Sequence, residues 1–229
     1  MYRSEQKFLV DEGTLQIMQN KLEPLLQYDR NQKGDSYRIR SMYFDTYERV
    51  SYRENDAGVE ERKKYRIRVY DDPKAYIRLE IKHKLKDRNY KESCRLSIAK
   101  YEEIMNRTLK FNPDDPRPLR MLYLEMQMNL LRPSVIVEYE RTAFIYDTGN
   151  IRITFDRNIS YSHKFDLFLE DEIPKIPLLP ANQHVFEVKY DEILPEFIAQ
   201  AIETGQLERT TFSKFYFSHL QTEGEGFAW

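Results

Sequence analysis

The stretch "YIRLEIKHK", residues 76–84, decides how this chain folds. Ile77, Leu79 and Ile81 alternate with Arg78, Glu80, Lys82 and Lys84. Successive side chains of a strand point to opposite sides, so the segment reads as a β-strand with one apolar and one charged face. A half-covered antiparallel sheet turns its charged face to water. The same alternation recurs along the chain, however, and its regularity asks what the charged faces meet.

Upstream, "KKYRIRVY" (63–70) sets Lys64, Arg66 and Arg68 opposite Tyr65, Ile67 and Val69. Near the start, Arg3, Glu5 and Lys7 share a face. Downstream, Tyr139 and Arg141 share a face that Glu138 and Glu140 do not. "RITFD" (152–156) places Arg152, Thr154 and Asp156 opposite Ile151, Ile153 and Phe155. "VFEVKYD" (185–191) sets Glu187 and Lys189 against Phe186, Val188 and Tyr190. Arg38 and Arg40 alternate as well.

The pattern predicts strands at 2–10, 37–45, 63–71, 75–85, 89–96, 134–146, 150–157 and 184–191. "DDPK" (71–74), "KDRN" (86–89) and "DTGN" (147–150) read as hairpin turns. Helical spacing predicts helices at 11–28, capped by Asp11, at 97–106 from Ser97, and at 119–131, ended by Pro133. Two short helices follow at 195–204 and 212–221, and the proline-rich stretch 172–182 is a loop.

About eight antiparallel strands in succession predict an α+β fold, a single domain over residues 1–229. Its sheet is expected to close into a barrel, because closure removes exposed edges, with helices packed outside. Helices covering the apolar faces leave the charged faces to line the interior, as a basic tunnel. Two like charges 4 Å apart repel by about 4 kcal/mol at an effective dielectric near 20. Such a lining is tolerable if water and Glu5, Glu80 and Glu187 offset it, or if a polyanion occupies it. Solvated faces turned outward are the other reading of the same alternation.

Composition narrows the function. Charged residues make up 32% of 229, yet the formal net charge is −2, which speaks against a nucleic-acid binder. Cys94 is the only cysteine, so internal disulfides and cysteine-based zinc sites are excluded, and a reducing cytoplasm is expected. Neither a secretory leader nor an apolar run of membrane-spanning length is seen, and no membrane partner is visible. With seven glycines there is no glycine-rich phosphate loop, and the four histidines have no metal-ligand spacing. His83 lies opposite the basic face and reads as structural, Tyr43 and Asp45 as braces at a strand end, and Cys94 as a small buried hydrophobe.

Taken in order, "RSEQKFLV" (3–10), "SMYFDT" (41–46), "KYRIRVY" (64–70), "IRLEIKHK" (77–84), "EYERTAF" (138–144), "IRITFDRNIS" (151–160), "FEVKY" (186–190) and "TFSKFYF" (211–217) resemble the polyphosphate polymerase (VTC) domain. That family lies within the triphosphate tunnel superfamily, which includes the CYTH enzymes. The resemblance covers essentially the whole chain and implies a basic tunnel. It implies that ATP donates its terminal phosphate to inorganic polyphosphate with Mn2+ or Mg2+. It assigns phosphate contacts to Lys7, Arg66, Arg68, Lys82, Arg141, Lys189 and Lys214, with Ser213 and Tyr139 as secondary contacts and Glu187 as the metal ligand.

Lys84 and Arg152, on the same charged strand faces, extend the phosphate set, and Lys214, Arg141 and Lys82 are the residues expected to be catalytic. Phosphoryl transfer needs positioning and charge stabilisation, which Arg and Lys supply. A hard carboxylate suits Mg2+ or Mn2+. One departure matters: where CYTH hydrolases carry E-x-E-x-K, this chain has Arg3, Glu5 and Lys7. The missing acid favours the polymerase over a tri(poly)phosphatase on the same scaffold, and a non-catalytic polyanion-binding module is the third reading.

Overall fold

Eight long strands form where the alternation places them, in a computed structural model that describes residues 3–85, 88–205 and 207–224. They are β1 (Arg3–Asp11), β3 (Tyr37–Asp45), β4 (Glu61–Tyr70), β5 (Ile77–Leu85), β6 (Arg88–Leu96), β7 (Arg132–Tyr146), β8 (Ile151–Ser162) and β10 (Gln183–Asp191). Two-residue strands β2 (Gln27–Tyr28), β9 (Ile176–Pro177) and β11 (Glu208–Arg209) join them. The helices are α1 (Glu12–Leu22), α2 (Val50–Asp56), α3 (Ile98–Met105), α4 (Arg117–Met128), α5 (Glu196–Ile202) and α6 (Lys214–Gly224). Residue 2 of the first predicted strand, residues 86 and 87 of the predicted turn, and the side chain of Arg3 lie outside what is described.

The predicted closure into a barrel does not occur. The strands follow an open path, β11-β1-β10-β8-β7-β3-β4-β5-β6, with β2 on β7 and β9 on β8. Among the described residues no pairing joins β11 to β6. The edges are protected by other means: β11 is two residues long, and β6 carries exposed Lys91 and Arg95. The charged strand faces are accordingly faces of an open sheet, and the tunnel inferred from closure goes with it.

The chain divides into two compact units. The first comprises Met1–Arg38, Tyr139–Ser160 and Pro177–Ser213, and the second Ile39–Glu138, Tyr161–Ile176 and Lys214–Trp229. In the first, α1 lays Leu15, Met18 and Leu22 into a core with Ile153, Phe155, Phe186 and Val188, joined by Ile198, Ala201 and Ile202 of α5. The Asp11 side chain caps α1, its Oδ1 accepting the Thr14 N–H at 2.9 Å. The helix stops at Leu22 rather than residue 28, because Pro24 has no N–H to continue the ladder.

In the second unit Tyr101 and Ile104 of α3 and Leu119 and Leu122 of α4 cover Ile67, Leu79 and Ile81. Fully burying such side chains contributes roughly 1.5–3 kcal/mol each, which is what commits one face of each strand to the core. α4 ends at Met128, where Leu130 turns left-handed (φ 51°), and Pro133 falls inside β7. The sequence pattern gave no sign of α2, which has no apolar period. Asp45 holds it instead, accepting the N–H groups of Thr46 (2.8 Å), Ser51 (2.9 Å) and Tyr52 (3.1 Å). No described helix is long and apolar enough to cross a membrane.

Candidate functional site

Strand register sorts the charged residues of the first unit into two rows. β1, β10 and β8 set Lys7, Glu187 and Thr154 side by side, and Glu5, Lys189 and Arg152 in the next row. Opposite signs alternate across Lys7, Glu187, Glu5 and Lys189, with Arg152 a further cation beside Lys189. Glu187 is buried, with Lys189 Nζ at 2.6 Å and Lys7 Nζ at 3.6 Å. Glu5 completes the square, 3.1 Å from Lys7 and 3.7 Å from Lys189. Burial alone would push the Glu187 carboxyl up, but Lys189, Lys7 and Arg141 outweigh it and hold it well below the usual carboxylate range. Burial likewise works against the charged Lys7, yet Glu187 and Glu5 raise its pKa overall.

Arg141, on the same face of β7, grips Asp156 of β8 through two bonds of 2.6 and 2.8 Å. Its guanidinium lies 5.2 Å from the Tyr139 ring centre. Burial opposes its charge, and Asp156 more than restores it, so Arg141 stays cationic. Arg152 reaches Asp29 at 2.7 Å and donates to the Tyr37 hydroxyl at 3.1 Å. Lys7 also donates to the Phe212 carbonyl at 3.3 Å, beside half-buried Ser213.

The second unit carries a different face. Across β4, β5 and β6 the register aligns Arg62 with Lys84, Lys64 with Lys82 and Lys91, Arg66 with Glu80, and Arg68 with Arg78 and Arg95. Nine cations therefore stand in register on the face that carries Glu80. Glu80 is 1% exposed and sits 2.6 Å from Arg66, 2.9 Å from Lys91 and 4.0 Å from Arg68. Burial favours its protonated form, but Arg66, Arg68 and Lys91 bring its pKa down to about 2.

β3 borders this face with Ser41, which accepts from Arg68 at 3.0 Å, and Tyr43, which accepts from Arg66 at 3.2 Å. Burial would raise the Tyr43 phenol, yet Arg66, Arg68 and Lys214 lower it. Lys214 opens α6, whose Phe215 packs 5.2 Å from Tyr43 and takes Lys64 Nζ over its ring at 5.0 Å.

The residues singled out in the sequence thus fall into two groups. Lys7, Arg141, Arg152, Glu187, Lys189 and Ser213 belong to the first unit, and Arg66, Arg68, Lys82, Lys84 and Lys214 to the second. Lys91 and Arg95 were missed, although "KESCR" (91–95) carries the same alternation. Arg40 falls on the core face of β3, aligned with Val69, not on the basic face. It is 1% exposed, bonded to Glu138 at 2.5 Å and to the Phe168 carbonyl at 2.8 Å, a structural pairing. His83 is buried on the core side, 4.2 Å from the Tyr90 ring and 3.0 Å from Glu92. Cys94 packs at the edge of that core, and burial pushes its thiol up to about 11.

No group of three or more His, Cys, Asp or Glu side chains gathers for a metal among the described residues. Glu187 and Glu5, linked through Lys7 and Lys189, are the oxygen donors available beside one another on the first face. Mg2+ is commonly held by one or two carboxylates plus substrate phosphates. That donor pair fits a hard cation arriving with phosphate and does not fit a closed protein cage.

The VTC domain model matches residues 2–221. The chain belongs to the VTC domain family. No curated protein sequence matches this VTC domain. Solved structures do. One is a Hippeastrum protein described as an adenylyl cyclase candidate with a dominant triphosphatase activity, 16% identical, with 96% of each chain covered and a TM-score of 0.57. Another is an adenylate cyclase candidate from Vibrio parahaemolyticus, 13% identical, covering 96% of this chain and 98% of that one, with a TM-score of 0.54. At these identities the likeness is one of fold.

Proposed function

We propose that this VTC domain binds inorganic polyphosphate and extends it, moving the terminal phosphoryl group of ATP onto the chain end. The observation that carries this reading is the second unit's face, where nine cations stand in register beside Glu80 in a chain of net charge −2. A chain of near-zero net charge that sets nine cations on one sheet face accepts a repulsion that a polyanion relieves.

Arg66 and Arg68 hold phosphate oxygens through planar donors, while Lys82, Lys84 and Lys214 supply compact charge. Glu80 and Tyr43 fix the Arg66 guanidinium in place, and Ser41 accepts from Arg68. On the first face, Asp156 orients Arg141 for phosphate, and Lys7, Lys189 and Arg152 add charge there. In the transfer a terminal polyphosphate oxygen attacks the γ-phosphorus, the bond to the β-phosphate oxygen breaks, and ADP leaves. On each face the side chains position phosphate and stabilise charge on the phosphoryl oxygens, and none forms a covalent bond. Glu187, with Glu5, would hold Mn2+ or Mg2+, which when bound acts as a Lewis acid on the phosphates.

A hydrolase on the same fold is the second reading, favoured by the triphosphatase activity described for the Hippeastrum structure. Incubation with ATP and Mn2+, products resolved on a gel with ADP and free phosphate quantified, separates the two. A ladder with ADP, lost in Lys214→Ala and Glu187→Ala, supports the polymerase. Free phosphate without a ladder supports the hydrolase, and tight polyphosphate binding without turnover a holding module.

A further inference from the structure

Arg68, Arg78 and Arg95 stand in register on three adjacent strands. Strands lie about 4.7–4.9 Å apart, so the row runs roughly 10 Å toward the sheet edge. Like charges directly opposite one another destabilise a sheet. Arg68 has Glu80 at 4.0 Å to offset this. Arg78, which feels Glu80 more weakly than it does Tyr76, and Arg95 have neutral hydrogen-bond acceptors. Arg78 donates from Nε and Nη2 to the Tyr76 hydroxyl, at 3.0 and 2.6 Å. Arg95 donates from Nη2 to the Ala75 carbonyl at 3.2 Å. Both guanidiniums pack on the Tyr76 ring, 5.1 and 5.3 Å from its centre.

A phenol and a carbonyl orient a guanidinium without cancelling its charge. Tyr76 therefore holds two cations together that would otherwise separate, and leaves most of their N–H donors available. Elsewhere in the second unit the buried guanidinium of Arg40 has Glu138, and Arg66 has Glu80. Arg95 is exposed and Arg78 half-buried, so an anion can reach both.

We infer that Arg78 and Arg95, gathered by Tyr76, form a separate anion subsite that takes the distal phosphates of a long polyphosphate chain. The inference rests on the proposed function for what occupies Arg66 and Arg68. Those two are about 7 Å apart along β4, at roughly 3.4 Å per residue, a span suited to a short phosphate chain. Touching both Arg66 and Arg95 requires a longer one. The subsite thus sets chain-length preference and plays no part in the transfer step.

The test compares wild type with the Arg78→Gln/Arg95→Gln double variant, titrating tripolyphosphate and long-chain polyphosphate at several salt concentrations. The double variant should bind tripolyphosphate within about twofold of wild type. It should bind the long chain about tenfold more weakly, with the slope of log K against log salt reduced by about two. Tyr76→Phe, which keeps the ring and removes the acceptor, should show a smaller loss confined to the long chain. A long-chain affinity equal to wild type in both variants, or equal losses on both ligands, overturns the subsite and leaves the proposed function standing. Failure of wild type to bind either ligand overturns the proposed function and the subsite with it.

Discussion

On β1, β10 and β8 the charges form a square in which each lysine touches two carboxylates, whereas on β4, β5 and β6 nine cations share the face that carries Glu80, with Arg66, Arg68 and Lys91 against it. Both faces come from the same strand alternation, and both use a buried carboxylate with a depressed pKa. They differ in layout. Lys7 and Lys189 each touch both Glu5 and Glu187, while Arg66, Arg68 and Lys91 converge on Glu80. The balanced face is organised without a ligand. The other carries an excess that a ligand is suited to complete.

The largest effect that would break this contrast is on stability. Glu80→Gln should destabilise the protein by on the order of 3–5 kcal/mol in denaturant melts, since it strands partly buried cations. Glu187→Gln should cost about 1–2 kcal/mol, because Glu5 still serves both lysines, while costing more in ATP turnover. Equal losses would show that the two faces are wired alike. Polyphosphate at about a hundredfold its Kd should restore roughly 2.7 kcal/mol to Glu80→Gln if the anion binds only the folded state.

A pH series sharpens the same point. The Glu80 carboxyl is lowered from an ordinary value of 4.5 to about 2, so its contribution is complete above the ordinary value and fades as pH falls toward 2. Stability measured against pH should therefore separate wild type from Glu80→Gln at pH 6 and bring them together near pH 2. A gap unchanged down to pH 2 would mean that Glu80 acts by packing rather than by charge.

Arg141→Lys tests whether the first face needs geometry as well as charge. It keeps the cation but loses the two-bond grip on Asp156, and a loss of about 1–3 kcal/mol in stability is expected. Smallest of all, Lys84→Gln at the end of the basic face should change stability by less than about 0.5 kcal/mol. It should lower the salt slope of polyphosphate binding by about one.

Much of this was legible in the sequence because strand alternation is strictly local. Residues 37–45 are a strand at the predicted limits, and the faces of "KYRIRVY" and "IRLEIKHK" follow from a period of two. The caps at Asp11 and Ser97 were legible too, each side chain accepting an N–H three residues on. Helix α2 was not, because its stability comes from the Asp45 carboxylate and not from any pattern within it.

Closure of the sheet was not legible either. It depends on how the two outermost strands meet, and a short β11 and a charged β6 settle their edges without meeting. Alternation fixes which side chains share a face, and the sequence by itself determined that Arg66, Arg68, Lys82 and Lys84 lie together. Only the tertiary structure decided which carboxylate answers which cation, because partners such as Lys7 and Glu187, or Arg152 and Asp29, come from segments far apart in the chain. The same distance in sequence hid that Arg40 is neutralised in a core while Arg78 and Arg95 keep their charge at an edge. Burial and partner together set the electrostatics of a cation, and both are properties of the folded chain.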